Sequence, residues 1–269
     1  MLRAKSPPVS KNWEIEMVSF CADIDKLFTE LPFLERCKAA KENGFASVEF
    51  TFPEKIGLGE LGDAAAYKGL KVSVITMHEK QATLAFEKKS KQKFLDALDD
   101  LTDKADFLEC KKIFIPAKQL PPDTFEAQRE AFASALHAAA PRVRRAGIKI
   151  LLGFENPQNL PEAYPASTLE ALELLDELND DKAFAYLFDI YRSQSCEGGL
   201  SDTIDSLISL IGHVRIAGVP TGEEPDMGEI NYDYLLSLLE MQGYQGHIGC
   251  SYSPRTTTAA GLKWMQKYV

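Results

Sequence analysis

Apolar residues along the 269-residue chain follow two alternating rhythms. Short runs rich in β-branched and aromatic residues fall at Trp13–Phe20, Ser47–Phe52, Lys71–Met77, Lys112–Pro116, Ile148–Phe154, Ala183–Ile190, His213–Ala217 and Gly246–Ser251. Each of these predicts a strand. Between them apolar positions are spaced by three and four, as in Phe94, Leu98, Leu101, Ala105 and Leu108, the spacing of one helix face. Ser167-Thr168-Leu169-Glu170 has capping-box form and predicts a helix start. Gly44, Gly69, Gly147 and Gly243 each stand where a helical pattern gives way to a strand, a position that favours a left-handed cap.

The helix-to-strand links are short, whereas the strand-to-helix links are long, notably His78–Ser90, Glu155–Pro165, Tyr191–Leu200 and Gly218–Glu229. Eight such units, with their long loops at the C-terminal ends of the strands, predict an α/β fold, a single (β/α)8 TIM barrel, with its site on that face. A doubly wound open sheet is the competing architecture, but no Gly-x-Gly-x-x-Gly follows the first strand. With no linker, repeat or low-complexity tract in sight, residues 1–269 read as one domain, with 1–12 as a flexible extension.

Composition narrows the function. The chain is 45% hydrophobic and 26% charged, with a formal net charge of −10. That acidity argues against a nucleic-acid partner, which needs clustered lysine and arginine. The basic runs Lys88-Lys89-Ser90-Lys91 and Arg142-Val143-Arg144-Arg145 fall on predicted helices and read as solvated faces. No apolar run is long enough for a membrane span, and the N-terminus lacks a signal-peptide core. Five widely spaced cysteines without a Cys-x-x-Cys motif suit a reducing, cytoplasmic setting, and Cys250, with no histidine beside it, reads as space-filling.

In a barrel, polar residues at the C-terminal ends of strands are the first candidates for chemistry. Glu49, His78, Glu155, Asp189, Arg192, Arg215 and Ser251 all stand at or near such ends. Glu155 and Asp189 directly follow apolar strands, where a carboxylate is costly unless it pairs with something. Both a structural ion pair and a ligand-facing carboxylate fit that position. Alternation points Glu49 with Thr51, towards the barrel interior or mouth. His78 suits either polar lining or a ligand contact.

Several stretches, taken together in this order and spacing, resemble the hydroxypyruvate isomerase family. They are Gly44-Phe45-x-x-Val48-Glu49-Phe50-x-Phe52-Pro53, Leu151-Leu152-x-x-Glu155, Asp189-Ile190-Tyr191, Ile211-Gly212-His213, Gly228–Leu235 and Gly249–Met265. The resemblance implies a xylose-isomerase-like barrel that interconverts hydroxypyruvate and tartronate semialdehyde around one divalent metal. It implies metal ligands at 155, 189, 215 and 251, namely glutamate, aspartate, glutamine and a glutamate that also moves a proton. This chain keeps Glu155 and Asp189 but carries Arg215 and Ser251. Arg192 stands in place of a family histidine, Gly218 of an aspartate, and Thr221-Gly222 of a His-Arg pair.

The family's ligands carry three negative charges. The corresponding residues here carry a net of one, and Arg192 cancels that. A guanidinium offers no lone pair and repels a cation. The expectation is therefore no cofactor, with an ion-pair cluster in place of metal. Mg²⁺ or Mn²⁺ is the ion that an intact family site would take. Glu155 is the candidate catalytic base. Arg215, Arg192, Asp189, His78, Glu49 and Ser251 are the candidate contacts for a small carboxylated, sugar-like substrate. Two functions stay open, an isomerase of small hydroxy-oxo acids with an altered site and a catalytically silent barrel that binds a carboxylated metabolite or a protein. A third class, barrel endonucleases acting on damaged DNA, fits the acidic charge and the four histidines poorly. No particular oligomeric state is implied.

Overall fold

Eight parallel strands close into a barrel in chain order: β1 (Phe20–Asp23), β2 (Ser47–Thr51), β3 (Lys71–Thr76), β4 (Lys112–Phe114), β5 (Lys149–Leu152), β6 (Phe184–Asp189), β7 (Ile211–Ile216) and β8 (Ile248–Cys250). The computed structural model describes residues 19–268. The expected extension over 1–12 and the expected start of the first strand at Trp13 lie outside the described residues. β8 closes the barrel on β1, with Phe20 opposite Ile248 and Ala22 opposite Cys250. The (β/α)8 expectation therefore holds.

Strand alternation sorts side chains into two cores. Outward-facing Phe20, Ala22, Val48, Phe50, Phe184, Tyr186, Phe188, Val214 and Ile216 pack under the surrounding helices. Inward-facing Val74, Phe114, Leu151, Ala185 and Leu187 fill the barrel axis as a separate cluster. Each fully buried aliphatic or aromatic side chain contributes roughly 1.5–3 kcal/mol. The same period of two carries the inner set upward. Asp189 follows Ala185 and Leu187, Arg215 follows His213, and Asp23 follows Cys21.

The short links cap their helices as expected, with φ of 92°, 73°, 65° and 84° at Gly44, Gly69, Gly147 and Gly243. The Ser167 hydroxyl accepts from the Glu170 N–H, whereas Glu170 reaches back to Ala166, one residue beyond the reciprocal bond of a full capping box. The basic run at 142–145 is partly ion-paired instead of wholly solvated, Arg142 with Asp99 and Arg144 with Asp180. All five cysteines are free, and only Cys196 is exposed.

The long loops crown the C-terminal face. Two-residue strands Lys118–Gln119 and Ala163–Tyr164 pair antiparallel and tie the loops after β4 and β5 together. The loop after β7 folds tightly onto itself. A Cβ at Gly218 would lie 2.5 Å from the Glu224 carbonyl oxygen and 2.8 Å from that of Met227. An aspartate therefore cannot return to 218 without rebuilding this loop. Glu224, buried inside it, accepts from the Arg255 backbone N–H and side chain.

Candidate active site at the barrel mouth

Six consecutive strands, β5 to β8 and then β1 and β2, carry the polar residues of the mouth. On one flank Glu155 follows β5 and Asp189 ends β6. Asp189 caps the helix Ile190–Cys196 by accepting the Arg192 N–H at 3.1 Å. That cap folds Arg192 back over the mouth, where Nη2 lies 2.7 Å from Glu155 Oε2 and Nη1 lies 3.6 Å from Asp189 Oδ2. One guanidinium thus bridges the two family carboxylates. Glu155 also accepts the Asn156 N–H at 3.0 Å, and Arg192 keeps 18% side-chain exposure.

Arg215 does not join this pair, contrary to expectation. It is directly opposite Asp189 in the β6–β7 register, but its guanidinium turns into the barrel towards β2. There Nε and Nη2 donate to Glu49 Oε2 at 3.1 and 2.8 Å, and the guanidinium sits 5.0 Å from the Phe114 ring centre. Glu49 is fully buried. Burial alone would raise its carboxyl, but Arg215 and then His213 pull it down to about 2. His213 Nε2 lies 3.3 Å from Glu49 Oε2 without hydrogen-bond geometry, and burial holds the imidazole below its ordinary value. Position 249 must be glycine for this packing. A Cβ there would come within 2.5 Å of Glu49 Oε1 and 2.8 Å of His213 Nε2.

The third group is Asp23 with Ser251. The Ser251 hydroxyl donates to Asp23 Oδ2 at 2.8 Å, and the Asp25 N–H donates to Asp23 Oδ1 at 3.1 Å. The Lys26 ammonium reaches the Ser251 carbonyl oxygen at 3.2 Å. Burial, with the Glu49 charge adding to it, pushes the Asp23 carboxyl up to about 6 against the pull of Arg215.

The structure thus brings Glu155, Asp189 and Arg192 together and places Glu49, Arg215 and Ser251 in the adjoining groups. It does not bring His78 to them. That side chain caps the short helix Glu79–Ala82 and lies 4.0 Å from Glu54, lining a side groove with Phe52, Gln81 and Lys104. Sequence reasoning missed Asp23 because it ended the first strand at Phe20, three residues early. It also missed His213 as a partner of Glu49, although His213 shares its strand face with Arg215.

The donor set does not fit Mg²⁺ or Mn²⁺ as arranged. Among the described residues no three His, Cys, Asp or Glu side chains are grouped to hold an ion, and a guanidinium lies where Glu155 and Asp189 would offer oxygens.

A family model described as "xylose isomerase-like TIM barrel" matches residues 37–268. The chain is similar to the 2-oxo-tetronate isomerase of Haemophilus influenzae, 32% identical over 259 residues, covering 94% of this chain and 100% of the relative. It is similar to the hydroxypyruvate isomerase of Escherichia coli, 33% identical over 261 residues, with 94% and 100% covered. A crystal structure titled AP endonuclease, family 2, from Brucella melitensis superposes with a TM-score of 0.88 at 32% identity, covering 94% of this chain and 99% of that one.

Proposed function

We propose that this chain, which belongs to the xylose isomerase-like TIM barrel family, is an isomerase of small hydroxy-oxo acids whose arginines do the work of a metal. One observation carries the reading. Glu155, in the loop after β5, and Asp189, at the end of the adjacent β6, are bridged by Arg192, and Arg215 stands near the end of the next strand. The names of the relatives supply the substrate class, with hydroxypyruvate as the three-carbon case.

Isomerisation through an enediolate needs a base for the carbon-bound proton and a positive group for the developing oxyanion. Glu155 is the base. It is partly exposed at the mouth and oriented by the Asn156 N–H and Arg192. Arg192 Nε and Arg215 Nη1 have no hydrogen-bond partner among the described residues, so each guanidinium keeps a donor to offer. Arg192, the more exposed, takes the substrate carboxylate, and sharing it with the substrate loosens its hold on Glu155. Arg215, held rigid by Glu49 and Phe114, faces the oxyanion, where a fixed charge in a water-poor site is most effective.

The 2.7 Å Arg192–Glu155 contact also supports a second reading, a barrel that binds a carboxylate and leaves it unchanged. The likeness to the Brucella AP endonuclease raises DNA as a substrate, but the net charge of −10 weighs against phosphate-backbone binding. Purified protein incubated with hydroxypyruvate is expected to form tartronate semialdehyde. Saturable binding of hydroxypyruvate by calorimetry with no product would favour the silent barrel.

A further inference from the structure

We infer that Asp23 carries the second proton of the isomerisation, facing Glu155 from the opposite side of the mouth; this rests on the isomerase reading above. In a closed barrel of eight strands running in chain order, β1 and β5 are four strands apart in either direction, so their ends are diametrically opposed. Asp189 and Arg215 occupy strand ends on the arc between them. A small substrate lying against that arc has a carboxyl on each side.

Three features separate Asp23 from a structural carboxylate. It is only 7% exposed, yet it forms no ion pair among the described residues, whereas Glu49, Glu155 and Asp189 each pair with an arginine. The Lys26 ammonium bonds to the Ser251 carbonyl instead. Both carboxyl oxygens are fixed, one by the Ser251 hydroxyl and one by the Asp25 N–H, so the group is held in one orientation with no cation in contact among the described residues. A buried carboxyl without a cation in contact is the member of the mouth's carboxyl set best placed to hold a proton and hand it on.

Glu155 removes a proton from C3 of hydroxypyruvate; the C3–H electrons form the C2=C3 bond, and the carbonyl π electrons move to O2, opposite Arg215. The Asp23 carboxylic acid then protonates C2. The O3 hydroxyl proton passes to O2 as the C3=O bond forms, giving the aldehyde. One proton returned through water from Glu155 to Asp23 resets the site. Nothing is oxidised or reduced overall.

Asp23→Asn keeps an oxygen to accept the Ser251 hydroxyl but cannot give up a proton to carbon. In D₂O the variant is expected to isomerise hydroxypyruvate at least about 100-fold more slowly, the order expected when a general acid is lost. It should still exchange the C3 hydrogens for deuterium, because Glu155 is intact. A merely structural role would reduce both rates together. An independent measurement uses unaltered protein and 3-deuterated substrate in H₂O, with product trapped by reduction. Label from C3 is expected to be absent from C2, because two different groups handle the two protons. Isomerisation by Asp23→Asn within about threefold of the parent, parallel loss of exchange and turnover, or transfer of label from C3 to C2 overturns the inference and leaves the isomerase reading standing. Absence of turnover by the parent protein overturns both.

Discussion

Glu155→Gln is expected to lower kcat/KM for hydroxypyruvate by about 100- to 10,000-fold, the contribution typical of a positioned general base. Glutamine keeps the length of the side chain and one oxygen, which can serve either the Asn156 N–H, now on Oε1 at 3.0 Å, or the Arg192 guanidinium, now on Oε2 at 2.7 Å. The site is open enough for the amide to turn and for water to take the contact that is lost, so the fold should tolerate the change. Glu155 keeps 23% side-chain exposure and Arg192 18%, so the loss falls between that of a surface pair, about 0–1 kcal/mol, and that of a buried one, about 3–5 kcal/mol, and Asp189 stays beside Arg192 to hold its charge. The melting temperature should fall by several degrees, at roughly 2–4 °C per kcal/mol for a domain of this size. Steady-state kinetics beside a thermal unfolding curve checks both parts. A turnover number within a few-fold of the parent removes Glu155 from the role of base.

Arg215→Met is expected to act on stability. Glu49 is wholly buried, and its only hydrogen-bond donor among the described residues is Arg215. Removing one partner of a buried pair costs about 3–5 kcal/mol, because it strands the other charge. The pH dependence should change as well. In the parent protein the Glu49 carboxyl is held at about 2, below its ordinary value of 4.5. That shift stabilises the fold above about pH 4.5, and the stabilisation is lost as pH falls towards 2. Without Arg215, burial dominates, the carboxyl rises, and the protonated form becomes the one the fold prefers. Urea unfolding midpoints measured between pH 4 and 8 should show the variant losing more stability at the alkaline end. An equal loss at every pH would mean that Arg215 contributes by packing against Phe114 and not by holding the charge.

The barrel was legible because strand and helix periods alternate along the chain and glycine marks four of the turns. Glu155 and Asp189 were legible because a carboxylate immediately after an apolar strand has few bland explanations. Their union through Arg192 follows from local geometry, since Asp189 caps the helix that carries Arg192 three residues on. The partner of Arg215 was not legible. Glu49 is 166 residues away and meets it through the barrel interior, a relation set by closure and by the missing side chain at Gly249. Asp23 was hidden by a misplaced strand end. Phe20 to Asp23 alternates Phe and Ala outward with Cys and Asp inward, but an apolar–polar alternation upstream of Phe20 drew the boundary there. His78 could be assigned to a loop start but not to a direction, and the cap it forms turns it to the side groove.

The site therefore differs from the sequence expectation in how its charges are arranged. Instead of one cluster built from the old ligand positions, three groups share the mouth: Arg192 with Glu155 and Asp189, Arg215 with Glu49, and Asp23 with Ser251. Two guanidiniums provide fixed positive charge, and the carboxyls of Glu155 and Asp23 stand at opposed strand ends. On the proposed reading these groups are the two proton carriers and the fixed positive charge that moving a proton between adjacent carbons requires.

The most direct test of that claim is the rate of hydroxypyruvate isomerisation by protein dialysed against a strong chelator and assayed in metal-free buffer, then with millimolar Mg²⁺ or Mn²⁺ added. Turnover in the chelated protein is expected at the rate of the untreated enzyme, unchanged by either ion. Turnover that is absent after chelation and restored by Mg²⁺ or Mn²⁺ would contradict it.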